Sequence, residues 1–182
     1  MTIRFIEVTM LKRIRQFIRN IGFGFQKIDD DFLSQYLNEQ ERSLFGRLRK
    51  SEQIHSIYIA RDIQRELGEN KERDMIRAAL FHDIGKIIRP MNILEKSTAV
   101  ILKKLLGEKI ALLERSEIIQ SYLYNGERGG EILKSEKIFD EAPLFYRLVS
   151  LHHHKREMIE KQNDSDTLVT YYDLLKKYDD RY

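Results

Sequence analysis

Five histidines, and a few carboxylates set among apolar residues, carry most of the chemical potential of this chain. The central stretch is Ala78-Ala79-Leu80-Phe81-His82-Asp83-Ile84-Gly85-Lys86, where a histidine directly precedes an aspartate at the end of an apolar run. An imidazole nitrogen and a carboxylate oxygen together suit a borderline divalent cation such as Mn, Fe, Co, Ni or Zn better than Mg. Adjacent helical residues point about 100° apart, because the helix turns every ~3.6 residues. Both can reach one ion only if it lies off the helix edge and other segments complete its shell. The pair would equally be satisfied by bonding to each other at a helix end. Gly85 and the two alanines permit close backbone approach.

The remaining histidines lie at apolar segments too. His55 sits within Gln53-Ile54-His55-Ser56-Ile57-Tyr58-Ile59-Ala60, and His152, His153 and His154 follow Tyr146-Arg147-Leu148-Val149-Ser150-Leu151. Asp173 interrupts Leu168-Val169-Thr170-Tyr171-Tyr172-Asp173-Leu174-Leu175. A carboxylate in such surroundings is costly to bury unless it is paired or coordinates a metal.

This order of His55, His82-Asp83, His152-His153 and Asp173 resembles the HD-domain phosphohydrolase superfamily over residues 45–178. The resemblance implies an all-α HD-domain helical bundle and one divalent metal ion held by His55, His82, Asp83 and Asp173. It implies that Asp83 also orients or deprotonates the attacking water. His152 and His153 best fit the family's His-His segment, as phosphate ligands or as the acid toward the leaving group. Some members hold two metals, using a further histidine where this chain has Asn125, so no second metal is expected.

Lys86 follows Asp83 by three residues and shares its helix face. Its cation could offset charge on a phosphate oxygen in the transition state, or simply complement the helix C-terminus. Arg47, Arg49 and Lys50 precede the segment of His55 and are candidates to bind substrate at the same mouth. The chain has no cysteine, no nucleophile-elbow serine and no phosphate-cradling glycine loop. Metal-assisted hydrolysis of a small phosphate ester or anhydride is the reaction expected, with nucleotides first by family analogy. A non-catalytic metal-containing module that binds a ligand or protein is the alternative.

A length of 182 residues suits one domain with a substantial core. Two prolines, nine glycines and a 34% charged fraction argue for helices rather than for tight β-turns or disorder. The absence of cysteine fits a reducing compartment, no run approaches a membrane span, and no secretory leader is evident. The cytoplasm is therefore the expected location. A net charge of +3 is too modest for a general nucleic-acid binder, and self-association is left open.

These residues need helices to position them. Residues 7–21 read as an amphipathic helix with Lys12, Arg13, Arg15 and Arg19 off its apolar face. It belongs to an N-terminal helical extension, residues 1–44, packed on an HD-type hydrolase domain, residues 45–182. Asp29-Asp30-Asp31 opens a helix, residues 51–67 form a long one ended by Gly68, and the next carries His82-Asp83 in its last turn. Residues 93–106 and 108–119 read as helices, 121–130 as a glycine-rich loop, and 167–178 as the last helix.

Overall fold

The computed structural model describes residues 26–68, 72–161 and 165–182. The elements in order are α1 (Asp30–Tyr36), α2 (Glu39–Phe45), α3 (Lys50–Leu67), α4 (Arg73–Phe81), a 3-10 turn (Ile84–Ile87) and α5 (Ile93–Leu106). A second 3-10 turn (Gly107–Leu113) leads to α6 (Glu117–Leu123), α7 (Asn125–Ser135), α8 (Leu144–Leu151), α9 (Arg156–Lys161) and α10 (Asp166–Asp179). No strand occurs among the described residues, and the fold is all-α. No helix among them is long and apolar enough to cross a membrane. The basic helix expected over residues 7–21 lies outside the described residues.

Local signals start the helices. The Asp29 carboxylate accepts the Phe32 N–H at 2.9 Å, so the acidic triplet caps α1. Asn38 and Glu41 form a reciprocal capping box on α2. Gly68 leaves α3 at a φ of 82°, a region that favours glycine.

Helix α4 is the centre of the bundle. Met75, Ile76, Ala78, Ala79, Leu80 and Phe81 are all buried, and α4 packs between α3 and α8. Phe81 meets Phe45 of α2 edge-on at 6.1 Å, a favoured aromatic geometry. Phe32, Leu33, Leu44 and Phe45 belong to the same core as Leu148, Leu168 and Leu175. The described part of the N-terminal extension therefore shares one core with the helices beyond it. Helix α10 packs on α3 and α8.

Two sequence expectations are corrected. Residues 121–130 are not a loop, because α6 runs to Leu123 and α7 starts at Asn125. The glycines there serve close packing of α7 on α8 and on the first 3-10 turn. A Cβ at Gly130 would overlap the Ser150 hydroxyl, and one at Gly85 would overlap the Asn125 carbonyl. Nor is 108–119 one helix. It divides into the second 3-10 turn and the start of α6, which with α5 build a small separate core of Ala99, Ile110 and Ile119.

Candidate metal centre

Helix α4 ends one residue before His82, so His82 and Asp83 lie in the turn that follows rather than inside the last helical turn. That placement turns both side chains into the bundle, and both are buried. The His82 Nδ1 lies 2.8 Å from the Ala79 carbonyl. A carbonyl only accepts, so Nδ1 carries the proton and Nε2 presents its lone pair. This Nε2 faces Asp83 Oδ2 at 3.3 Å and Asp179 Oδ1 at 3.7 Å. From α3, His55 Nε2 lies 3.2 Å from the same Asp179 oxygen, and the His55 and His82 rings stand 5.5 Å apart.

A second pair of imidazoles comes from the end of α8. His152 is buried, and its Nδ1 sits 2.6 Å from the Val149 carbonyl, so its Nε2 is also the unprotonated nitrogen. His152 Nε2 and His153 Nε2 lie 3.7 Å and 3.8 Å from Asp83 Oδ1. Asp83 is thus shared. Its Oδ2 faces His82, and its Oδ1 faces His152 and His153. Two groups of donors are close enough to share an ion: His55, His82 and Asp83, and Asp83, His152 and His153. His154 turns away to Glu127 at 2.8 Å.

The donor set fits a divalent cation. His82 Nε2 and His152 Nε2 are buried without a hydrogen-bond partner, although carboxylates face them. Lone pair against carboxylate is repulsive until a cation or proton lies between them. The carbonyl bonds behind each ring are the outer-shell contacts that fix metal-ligating histidines.

Charge is concentrated here. Burial pushes the Asp83 carboxyl upward, but Lys86 and His82 outweigh it and hold it well below the carboxylate range. Burial likewise opposes ionisation of Asp179, yet its bond to His55 and the nearby His82 bring it down. The Lys86 ammonium contacts Asp83 Oδ2 and lies 2.8 Å from Glu52 Oε2. Burial works against that charge, and the two carboxylates more than compensate, raising Lys86 above its ordinary value. Desolvation, followed by the nearby His152, keeps His153 well below its usual range and therefore neutral. Asn125, at the start of α7, donates through Nδ2 to Asp83 Oδ1 at 3.0 Å.

The structure brings together most of the expected site and corrects part of it. His55, His82, Asp83, Lys86, His152 and His153 meet. Asp173 does not join them. It is exposed on α10, where its two oxygens accept from Arg156 Nε at 3.0 and 3.1 Å. Asp179, six residues on, stands in the cluster instead. The sequence signal was the buried stripe Leu168, Tyr172, Leu175, whose 4-3 spacing continues with a further step of four to 179. Arg49 donates to the Met91 and Pro90 carbonyls and ties the start of α3 to the chain before α5. Arg47 and Lys50 are exposed. Glu52, which local sequence does not single out, lies one turn before His55 and reaches Lys86.

This constellation of imidazoles and carboxylates on an all-α bundle could hold a metal ion. The chain matches the family model of the HD domain over residues 53–179, and it belongs to that family, whose superfamily is one of metal-dependent phosphohydrolases. The matched segment begins two residues before His55 and ends on Asp179. No curated protein and no solved structure matches the chain.

Proposed function

We propose that the protein is a phosphohydrolase that uses one tightly held divalent ion, bound by His55, His82, Asp83 and Asp179, on a small phosphate ester or anhydride, with nucleotides the first class to test. The observation that carries this reading is the pair of pinned imidazoles. Each gives its Nδ1 proton to its own helix and aims an unpartnered buried Nε2 at Asp83. A divalent ion of the Mn, Fe, Co, Ni or Zn kind would supply Lewis acidity and a more acidic water.

The chain's own residues supply the rest. Asp83 lies between both histidine groups, so it is the residue placed to accept a proton from an attacking water. Glu52 holds the Lys86 ammonium at the cluster, ready to exchange a carboxylate contact for a phosphate oxygen as charge develops there. His153 is the more exposed imidazole of the second pair, at 40%. Its neutral ring keeps a lone pair available on the open side of the site. His152 is fully enclosed, and its Nε2 faces Asp83 from the buried side.

One observation favours a second reading. Lys86 already neutralises Asp83 in part, so a non-catalytic module that binds a ligand or protein remains the alternative. Elemental analysis of the purified chain, followed by phosphate release over a nucleotide panel, separates the two. The proposal expects one transition-metal ion per chain and turnover of at least one phosphate compound. Failure of every compound with Mn-, Co-, Ni- and Fe-loaded protein would favour the module.

A further inference from the structure

Asp179 joins the metal cluster from the last position of α10. Helix ends fray, because their final carbonyls lose intrahelical partners. The last buried residue of α10 is Leu175, one turn earlier. A ligand at such a place keeps one position only if the chain is also fixed beyond it.

Asp62 of α3 supplies that fixed point. It lies two turns after His55, and the 3-4 spacing of His55, Tyr58 and Asp62 puts all three on one face of α3. Its carboxylate is buried, with the residue 5% exposed, and a buried carboxylate needs partners. Arg65, on the same helix, donates to Oδ1 at 2.6 Å. Oδ2 accepts from the two residues just past the end of α10, Arg181 Nη1 at 2.8 Å and the Tyr182 hydroxyl at 2.7 Å. The Tyr182 ring lies along the same face of α3, 5.5 Å from the Tyr58 ring and edge-on to His55 at 6.5 Å. Asp179 is thus bracketed by Leu175 before it and Tyr182 after it.

We infer that Asp62 and Tyr182 are positioning residues for the metal centre, and that their hydrogen bond holds the end of α10 so that Asp179 and His55 face the same ion. This role presupposes the ligand set proposed above. A neighbouring contact separates it from simple docking of the two helices. Glu66, one turn after Asp62, also ties α3 to α10, through Lys177 at 2.6 Å and through the Tyr178 hydroxyl. That clasp meets α10 ahead of Asp179 and sits at the surface, with the Glu66 side chain 39% exposed. It joins helix to helix and leaves the chain beyond Asp179 to Asp62. Global destabilisation does not change the affinity of the folded protein for an ion, whereas a displaced Asp179 does.

The test is Co(II) titration of the metal-free full chain, read by calorimetry and by the visible absorption of the bound ion, beside melts of the metal-free protein. Asp62→Asn replaces one accepting oxygen by an amide, and Tyr182→Phe keeps the ring and removes the hydroxyl. Each should weaken Co(II) binding about three- to tenfold, less than the roughly 10–100-fold of a direct outer-shell partner. At saturating Co(II) their spectra should move from wild type toward that of Asp179→Ala. Glu66→Gln should keep wild-type affinity and spectrum whatever its melt does. Asp62→Asn and Tyr182→Phe proteins that titrate and absorb like wild type overturn the inference and leave the metal reading standing. An equal loss of affinity in Glu66→Gln overturns it too, because general docking of α10 then accounts for the effect. A wild type that takes up no Co(II) overturns the metal reading and this role with it. Should Asp62→Asn fail to fold, Tyr182→Phe decides alone, since it deletes a single hydroxyl.

Discussion

The turn after α4 and the turn after α8 are built alike and end differently. Each follows a short apolar helix, at Phe81 and at Leu151. Each begins with a histidine whose Nδ1 meets the carbonyl three residues back, Ala79 or Val149, and whose Nε2 faces Asp83. The next residue sets them apart. After His82 it is buried Asp83, held by Lys86 and Asn125. After His152 it is His153, the more exposed of the two rings and neutral. The first turn is thus a charged, enclosed ligand corner closed by His55 and Asp179. The second adds neutral donors on the open side, which suits a substrate or a weakly held ligand. The same local geometry acquires two uses through one residue.

The largest effect should come from breaking the first turn. Asp83→Ala removes the carboxylate that both donor groups share, so metal content should fall below about a tenth and hydrolysis should be lost. His153→Ala, in the second turn, should keep the ion and lower turnover. Elemental analysis beside a phosphate assay checks both. Equal metal loss in the two variants would erase the distinction between the turns.

The closing carboxylate gives the next largest effect. Asp179→Ala should weaken metal binding by more than the roughly 10–100-fold of an outer-shell partner. Asp173→Ala breaks only the exposed Arg156 pair, and its stability cost should stay under about 1 kcal/mol. Metal titration of both variants decides which aspartate closes the shell. Full metal affinity in Asp179→Ala would remove it from the site.

Much of this was legible in the chain. The helical class follows from composition and helical periodicity, and the roles suggested for His55, His82 and Asp83 come from the resemblance to the HD-domain family. The last carboxylate was misplaced because local apolarity is a poor guide on an amphipathic helix. Asp173 has apolar sequence neighbours but points about 100° away from Tyr172. Asp179 has polar neighbours but the right phase. Glycines misled in a similar way at 126–130. In isolation they signal a loop, and only the partner helix shows that they permit a crossing too close for a Cβ. The Lys86 environment was hidden as well. A lysine near a helix end ordinarily keeps its ammonium in water, and nothing local announces that Glu52, 34 residues earlier, will hold it.

That contact alters the expectation for Lys86→Met. A lysine with its ammonium in water would affect turnover alone when replaced. In the folded protein the substitution also strips a partner from two carboxylates. The metal-free variant should therefore melt lower, by about 1–3 kcal/mol, the scale for leaving a buried polar group unpaired. Metal should close much of that gap, because an ion then compensates Asp83. The kcat/KM should fall about 10²–10³-fold, as for losing one electrostatic donor. Paired melts with and without metal test the structural half. A gap that stays the same after metal loading would mean that the ion does not sit against Asp83.

The smallest effect tests the two sides of Asp83 against each other. The Asn125 amide donates to Oδ1, the oxygen on the His152 and His153 side, and leaves Oδ2 to His82 and Lys86. A second ion among Asp83, His152 and His153 would need Oδ1, and the amide competes for it. One tight ion per chain is therefore expected in the wild type. Asn125→Ala frees the oxygen without adding a ligand. The first ion should stay tight, with a loss of at most about tenfold for a weakened outer-shell contact. A second ion should become detectable at metal excess, weakly held because two neutral imidazoles and a shared oxygen supply little charge. Calorimetric titration of apo-protein with Mn resolves the two events. Two equally tight ions in the wild type would show that the amide excludes nothing. An Asn125→Ala titration identical to wild type would leave Asn125 only its packing against Gly85.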